Sequence, residues 1–238
     1  MDSVSYDVRD RIAHVTIDDG KRNALSFEVL GALADALTAA EDAGAEQVGA
    51  LLISGRDGTL SGGFDLNVMR AGPLEAGRLV TDGGELFSRM YGSEVPIVIA
   101  CTGHAIAAGA LLMLAADERI CADDDAIGIG LIETQIGMVL PRWAVELAEE
   151  RLSRPWFQRA TVAGKRITPR EACEAGFVDA VVDRAELAER ALAAARYYAD
   201  LPRAAYKGQV LMCRGDRLGR LAEAVAADRG RLFDAGNA

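Results

Sequence analysis

Apolar and polar positions alternate over Val4 to Val8 and again over Ile12 to Ile17, on either side of Arg9-Asp10-Arg11. A period of two puts alternate side chains on one face of a strand, so the pattern predicts a hairpin. Asp18-Asp19-Gly20 breaks the second strand, and Lys21 to Leu25 reads as a loop. The period then lengthens. Leu30, Leu33, Leu37 and Ala40 fall on one stripe of a helix predicted over Phe27 to Ala43, with Ser26 as its N-cap. Val48 to Ser54 is a continuous apolar run and predicts a buried strand. Gly55 to Thr59 reads as a turn, and Leu60 to Leu66 as a glycine-bearing loop. Leu74 to Tyr91 carries a helical stripe of Leu79, Leu86 and Met90.

The pattern is strongest in the middle of the chain. Pro96 to Cys101 is a short apolar run with β-branched residues, the mark of a buried strand. Ala107 to Ala116 follows with no proline, no β-branched residue and no charge, which suits a helix buried on all sides. Between them, Gly103 to Gly109 is built largely of small residues that let another group approach the backbone. A helix starting near Ala108 leaves its first N–H groups without intrahelical partners. Those donors and the positive end of the helix dipole suit an anionic ligand oxygen.

Further on, Glu118 to Ala122 predicts a strand, Asp123-Asp124-Asp125 a solvated turn, and Ala126 to Leu131 an apolar glycine-spaced segment leading to Glu133. Pro141 opens a helix to about Leu152, and Pro155 opens another. Thr168-Pro169-Arg170-Glu171 has capping-box spacing, Gly176 ends that helix, and Phe177 to Val182 predicts a last strand. From Arg184 the pattern is helical, with breaks expected near Pro202 and Gly215. Alternating strands and helices predict an α/β core of mostly parallel strands over 1–183, with a helical region over 184–238. In such sheets, ligands bind at the loops that follow strands.

Composition narrows the function. The chain has 238 residues and 26 basic against 36 acidic side chains, a net charge of −10, with no basic block. That argues against nucleic acid or an anionic membrane as partner. Cys101, Cys121, Cys173 and Cys213 share no metal-ligand spacing and are expected to be reduced and mostly buried. Two histidines far apart give little support to a metal site. The N-terminus lacks a basic region followed by an apolar run, so no secretory signal is expected, and the longest apolar segment is too short to span a membrane. A cytoplasmic location is the expectation.

Three segments in order, Ser61-Gly62-Gly63-Phe64-Asp65-Leu66, Gly103 to Ala110 and Gly130 to Met138, resemble the enoyl-CoA hydratase/isomerase, or crotonase, superfamily. Lys21-Arg22-Asn23-Ala24-Leu25 resembles its CoA-contacting loop, and Thr168 to Asp179 its A-x-x-x-G-[LF]-V-[DT] segment. The resemblance covers nearly the whole chain. It implies a spiral of ββα/βαβ turns with C-terminal helices that form homotrimers, often paired as hexamers. It also implies acyl-CoA thioester substrates, coenzyme A being part of the substrate, with no metal or separate cofactor. An oxyanion hole is implied from the N–H groups of Phe64 and Ala108, where the family commonly has Gly in place of Ala108. Substrate contacts are implied at Lys21, Arg22, Ala24, Gly62, Gly63, Asp65, Leu66, Gly109 and Leu111.

Removing a thioester α-proton puts charge on the thioester oxygen, which two preorganised donors stabilise. Losing one such donor typically costs about 2.7–4 kcal/mol. The superfamily's hydratases hold water with two glutamates. Leu111 stands at the first position, and Glu133 matches the second if one extra residue is allowed before it. One carboxylate suits proton transfer from the α- to the γ-carbon of a 3-enoyl thioester. In both places the chain is similar to mitochondrial Δ3,Δ2-enoyl-CoA isomerases, with Ile132 replacing an Asn. A glutamate among Leu131, Ile132 and Ile136 is expected to have a raised pKa. Hydratase activity and non-catalytic acyl-CoA binding are the competing readings. Glu133 has the alternative of a structural ion pair with Arg142. Asp65 reads as a cap, His104 as a packed or hydrogen-bonded side chain, and Trp143 and Phe64 as core or acyl-pocket lining.

Overall fold

In the computed structural model, residues 3–236 are described, with side chains through residue 230. The opening hairpin forms as the alternation predicts. β1 (Val4–Arg9) pairs antiparallel with β2 (Ile12–Ile17), in which Ala13, Val15 and Ile17 on one face and Ile12 on the other are fully buried. α1 (Phe27–Asp42) starts where Ser26 accepts a hydrogen bond from Val29 N, and buries Leu30, Leu33, Leu37 and Ala40.

After α1 the chain repeats one move. A strand joins a large sheet, a second short strand turns into a small sheet, and helical segments lead back. β3 (Ala50–Gly55), β5 (Ile97–Cys101) and β7 (Glu118–Ala122) enter the large sheet. β4 (Gly58–Ser61), β6 (Gly103–Ile106) and β8 (Ile129–Gly130) enter the small one. α2 (Leu66–Ala71) and α3 (Pro73–Tyr91) follow β4, and α4 (Ala108–Leu114) follows β6. After β8 come a 3-10 turn over Glu133–Ile136, α5 (Arg142–Arg151), α6 (Arg154–Thr161) and α7 (Pro169–Ala175), and then β9 (Ala180–Val182). The large sheet has the order β1-β2-β3-β5-β7-β9, parallel from β2 onward, and the small sheet β4-β6-β8 is parallel throughout. This is the expected spiral α/β core.

The small sheet corrects the sequence expectation. Gly58 to Ser61, expected as the end of a turn and the start of a loop, and Gly103 to Ile106, expected only as a turn of small residues ahead of the central helix, are strands. They approach so closely that a Cβ on Gly103 would lie 1.8 Å from the carbonyl carbon of Gly58. Glycine at this register is therefore what lets the strands pair. The last strand is shorter than expected, beginning at Ala180. α7 has the full capping box, and Gly176 ends it with φ 95°.

α8 (Leu187–Ala199) buries Leu187, Ala191, Ala195 and Ala199 against the large sheet. α9 (Arg203–Gly236) lies along α3 and α5. The break near Pro202 is present, but the expected break at Gly215 is not, and α9 runs straight through it. Gly215 takes helical angles at only the usual propensity cost, while Arg214, Arg217 and Leu221 fix the helix to the core on either side. Residues 237–238 of the predicted helical region lie outside the described residues. Cys101 and Cys121 are buried free thiols, as expected. Cys173 and Cys213 are exposed, because each falls on the outward face of a surface helix, so "mostly buried" holds for only two of the four.

Candidate active site

Each strand of the small sheet delivers one predicted site segment from its C-terminal end. β4 leads into Gly62-Gly63-Phe64, β6 into Ala107-Ala108, and β8 through Leu131 and Ile132 into Glu133. Ala107 N donates to Gly130 O at 2.8 Å, joining the second segment to the third. A Cβ on Gly63 would lie 2.9 Å from Ile106 O and 3.3 Å from Ala108 N, so the first segment touches the second backbone to backbone. Gly63 also has φ +94°, a left-handed value that favours glycine.

Hydrogen bonding fixes where the two predicted donors point. A trans peptide directs its C=O and N–H to opposite sides. Gly63 O accepts from Leu25 N at 2.8 Å, so the N–H of Phe64 is turned away from the Leu25 loop. Ala107 O accepts from Ala110 N at 2.9 Å and Leu111 N at 3.2 Å, so the N–H of Ala108 points out of the start of α4. Neither N–H donates to a backbone carbonyl among the described residues. Ala107, between β6 and α4, has φ 54° and ψ −123°, a strained conformation for a residue with a Cβ. Such strain costs on the order of 1–3 kcal/mol and is typical of functional turns.

Glu133 opens the 3-10 turn and is 9% exposed. Its Oε2 is buried with no hydrogen-bond partner. The ion-pair alternative fails: Arg142 pairs with Glu146, one turn along α5, and Glu133 has no ion-pair partner among the described residues. Burial pushes its carboxyl up to about 7, only partly offset by a backbone N–H. Gln135 Nε2 donates to Gly164 O at 2.6 Å, which pins the turn to the loop before α7. Leu111, at the position of a second carboxylate, is 1% exposed within α4.

The loop over Lys21–Leu25 supports the Gly62–Phe64 segment through its backbone. Arg22 O accepts from Gly62 N at 2.8 Å, and Leu25 O accepts from Asp65 N at 3.1 Å. The Lys21 and Arg22 side chains are exposed, and Ala24 is half-buried. Asp19 organises the turn by accepting from the N–H groups of Lys21, Asn23 and Ala24. Burial alone would raise its carboxyl; those N–H groups and the Lys21 charge outweigh this and hold it below the usual range. Asp65 is the N-cap of α2, accepting from Asn67 N at 2.8 Å, and Leu66 beside it is half-exposed. Gly109 meets protein: a Cβ there would lie 2.4 Å from Ser61 O. His104 Nδ1 accepts from Gly128 N at 2.9 Å, and burial with the nearby Arg166 lowers its pKa. Trp143 is core. Phe64 is half-buried, its ring set in a notch at Gly83, where a Cβ would lie 2.5 Å from Cζ.

The family model described as enoyl-CoA hydratase/isomerase matches residues 7–230. The chain belongs to the enoyl-CoA hydratase/isomerase family. Human mitochondrial enoyl-CoA delta isomerase 1 is 33% identical over 207 residues, covering 87% of this chain and 68% of that protein. An enoyl-CoA hydratase/isomerase family protein from Pseudomonas syringae has a TM-score of 0.92 at 38% identity, covering 97% of this chain and 98% of that one. An apo enoyl-CoA isomerase from Mycobacterium tuberculosis has a TM-score of 0.89 at 37% identity, covering 96% of this chain and 98% of that one.

Within this enoyl-CoA hydratase/isomerase family member, Asn23, Ser61, Gln135 and Gly164 hold the site segments in place and do not stand out in the sequence. Asn23 is fully buried at φ 52°. Its Nδ2 reaches Ile17 O at 2.7 Å, and Thr59 O and Leu60 O at 3.1 Å each. The signal was weak: Asn is a common turn residue, and nothing local says that two strands converge on it.

Proposed function

We propose that the chain is a Δ3,Δ2-enoyl-CoA isomerase in which Glu133 is the sole proton shuttle. The observation that carries this reading is a lone, buried carboxylate with its pKa raised to about 7, while Leu111 occupies the place of a second one. A base of that pKa is largely ionised just above neutrality and still gives its proton back, as a shuttle must. The ionised Glu133 takes the α-proton of a 3-enoyl thioester. The electron pair moves onto the thioester oxygen, held between the N–H groups of Phe64 and Ala108. The enolate then collapses, the double bond shifts to the 2,3-position, and Glu133 returns the proton to the γ-carbon. Atoms balance without water or a redox partner.

Lys21 and Arg22 are suited by charge and exposure to the phosphates at the nucleotide end of CoA. The assembly is a homotrimer or hexamer built on α8 and α9, where Tyr197, Leu211 and Met212 are apolar and exposed. An active monomer by light scattering at micromolar concentration would rule that assembly out.

The functional test offers 3-enoyl-CoA and 2-enoyl-CoA separately to wild type and Glu133→Gln. Wild type should conjugate the first faster than it hydrates the second. The variant should lose roughly 10²–10⁴-fold in isomerisation with little change in CoA binding. Faster hydration would make the chain a hydratase, binding without turnover would make it a non-catalytic acyl-CoA binder, and unchanged isomerisation by Glu133→Gln would remove the shuttle.

A further inference from the structure

Gly63 is the weak point of the oxyanion-forming segment. It has no Cβ and a left-handed φ, and a glycine flanked by another glycine has wide freedom to rotate its peptides. A rotation at its ψ would swing the Phe64 N–H away from Ala108. The backbone alone holds the downstream peptide, through Leu25 N to Gly63 O at 2.8 Å. The upstream peptide is held by a side chain. Ser61 Oγ accepts from Gly63 N at 3.1 Å and donates to Asn23 O at 2.7 Å.

Both ends of that bridge are themselves fixed. Asn23 is clamped by its Nδ2 contacts to Ile17, Thr59 and Leu60, and Asp19 N donates to its Oδ1 at 3.1 Å. Ser61 ends β4 and is fully buried, its carbonyl packed against Gly109 of α4. The hydroxyl therefore sits between the loop that anchors the segment and the helix that supplies the second donor. Buried as it is, bulk water cannot take over its two hydrogen bonds.

We propose that Ser61 is a positioning residue: its hydroxyl locks Gly63 so that the Phe64 N–H faces the thioester oxygen alongside the Ala108 N–H. The proposal rests on the oxyanion assignment above. It adds a tuning element that never touches substrate and acts on the enolate rather than on CoA affinity.

The test uses the full-length protein with cinnamoyl-CoA, a conjugated thioester whose absorption moves to longer wavelength when its carbonyl is polarised. Bound to wild type, it should show a red shift. Ser61→Ala removes one oxygen and should leave the fold intact. The expected result is a clearly smaller red shift and a kcat on 3-enoyl-CoA about tenfold lower, less than the 10²–10³-fold of a deleted donor. KM and cinnamoyl-CoA affinity should stay within about threefold, since the loss falls on the transition state. The pH profile set by Glu133 should not move, which a general loosening of the site would not predict. Ser61→Cys keeps a weaker donor and acceptor and should fall between; it carries the comparison if Ser61→Ala does not fold. A red shift and kcat equal to wild type in the variant that folds would overturn the proposal, as would a loss confined to KM. Absence of any red shift in wild type would overturn it together with the oxyanion assignment. A wild type that red-shifts the probe but does not isomerise 3-enoyl-CoA would remove the isomerase reading and leave this inference standing.

Discussion

Burying Glu133, the proposed base, costs stability. In the unfolded chain its carboxyl titrates near the ordinary glutamate value of 4.5; in the fold burial moves it to about 7. Below the lower value both states are protonated and folding loses nothing. As pH rises past it the unfolded chain ionises first, and stability falls until the folded group ionises too. The full difference is about 3 kcal/mol, at about 1.36 kcal/mol per pKa unit. Glu133→Gln cannot ionise. It should therefore match wild type in thermal midpoint near pH 4 and exceed it by several degrees at pH 8, measured by scanning calorimetry. A midpoint difference independent of pH would refute the raised pKa. In the same way, kcat/KM of wild type should rise through pH 7 as the base form is populated. Phe64 makes a second residue-scale case. Its ring occupies the notch at Gly83, inside α3, where glycine costs helix propensity and is kept for space. Gly83→Ala should gain local propensity yet displace the ring, lowering turnover more than it changes the melting temperature.

At the scale of elements, the site depends on α4 lying against β4 with nothing between them. Gly109 is the spacer, since a Cβ there would meet Ser61 O at 2.4 Å, backbone that has no rotamer by which to yield. Gly109→Ala should push α4 outward and cost about 1–3 kcal/mol, as overpacking usually does, with a larger proportional loss of activity because Ala108 N moves with the helix. Denaturant unfolding beside a turnover assay checks this; unchanged activity would mean that α4 is not seated as described. The same closeness explains what the sequence concealed. β3, β5 and β7 are apolar runs, and they were legible as strands. β4, β6 and β8 are two to four residues long and rich in glycine, and their strand character comes from the partners they touch. Gly103 and Gly130 are points of close backbone contact. The segments at Phe64, Ala108 and Glu133, which the small sheet brings together, were legible through the family resemblance, whose motifs span those strand ends. Asn23 and Ser61 were not, because the contacts that tie the Asn23 loop to β4, Asn23 to Leu60 and Ser61 to Asn23, join residues far apart in sequence.

Across the whole molecule, one polar joint ties the C-terminal helix to the core around the site. Arg214 of α9 donates to Asp117 Oδ1 at 2.6 Å and to Tyr91 O at 2.8 Å, while Asp117 Oδ2 accepts from Ile97 N at 2.7 Å. Two guanidinium groups lie over the Tyr91 ring at the end of α3, Arg214 at 4.9 Å and Arg151 at 5.1 Å from its centroid. Arg151 reaches from the end of α5 to Leu114 O and Ala116 O, satisfying carbonyls at the C-terminal end of α4 and complementing its dipole. The helix that carries Ala108 at one end is thus held at the other by a cluster that also receives α3, α5 and α9. Asp117 is 4% exposed on its side chain and Arg214 17%, so neither charge has water to fall back on. Removing one partner from such a pair typically costs about 3–5 kcal/mol, mostly from the charge left behind. Arg214→Met should therefore destabilise by about that much in urea unfolding, and loosen α9 in hydrogen exchange. Adding Asp117→Asn removes the stranded charge but keeps an acceptor for Ile97 N, so the double variant should regain a large part of the loss. The two substitutions would then be strongly non-additive, with a coupling in the range of about 0.5–3 kcal/mol expected of residues in contact. Additive costs would mean that this joint contributes nothing to seating the helices around the site, leaving α9 to its apolar contacts and to the Arg217 and Arg220 pairs with Glu146 of α5.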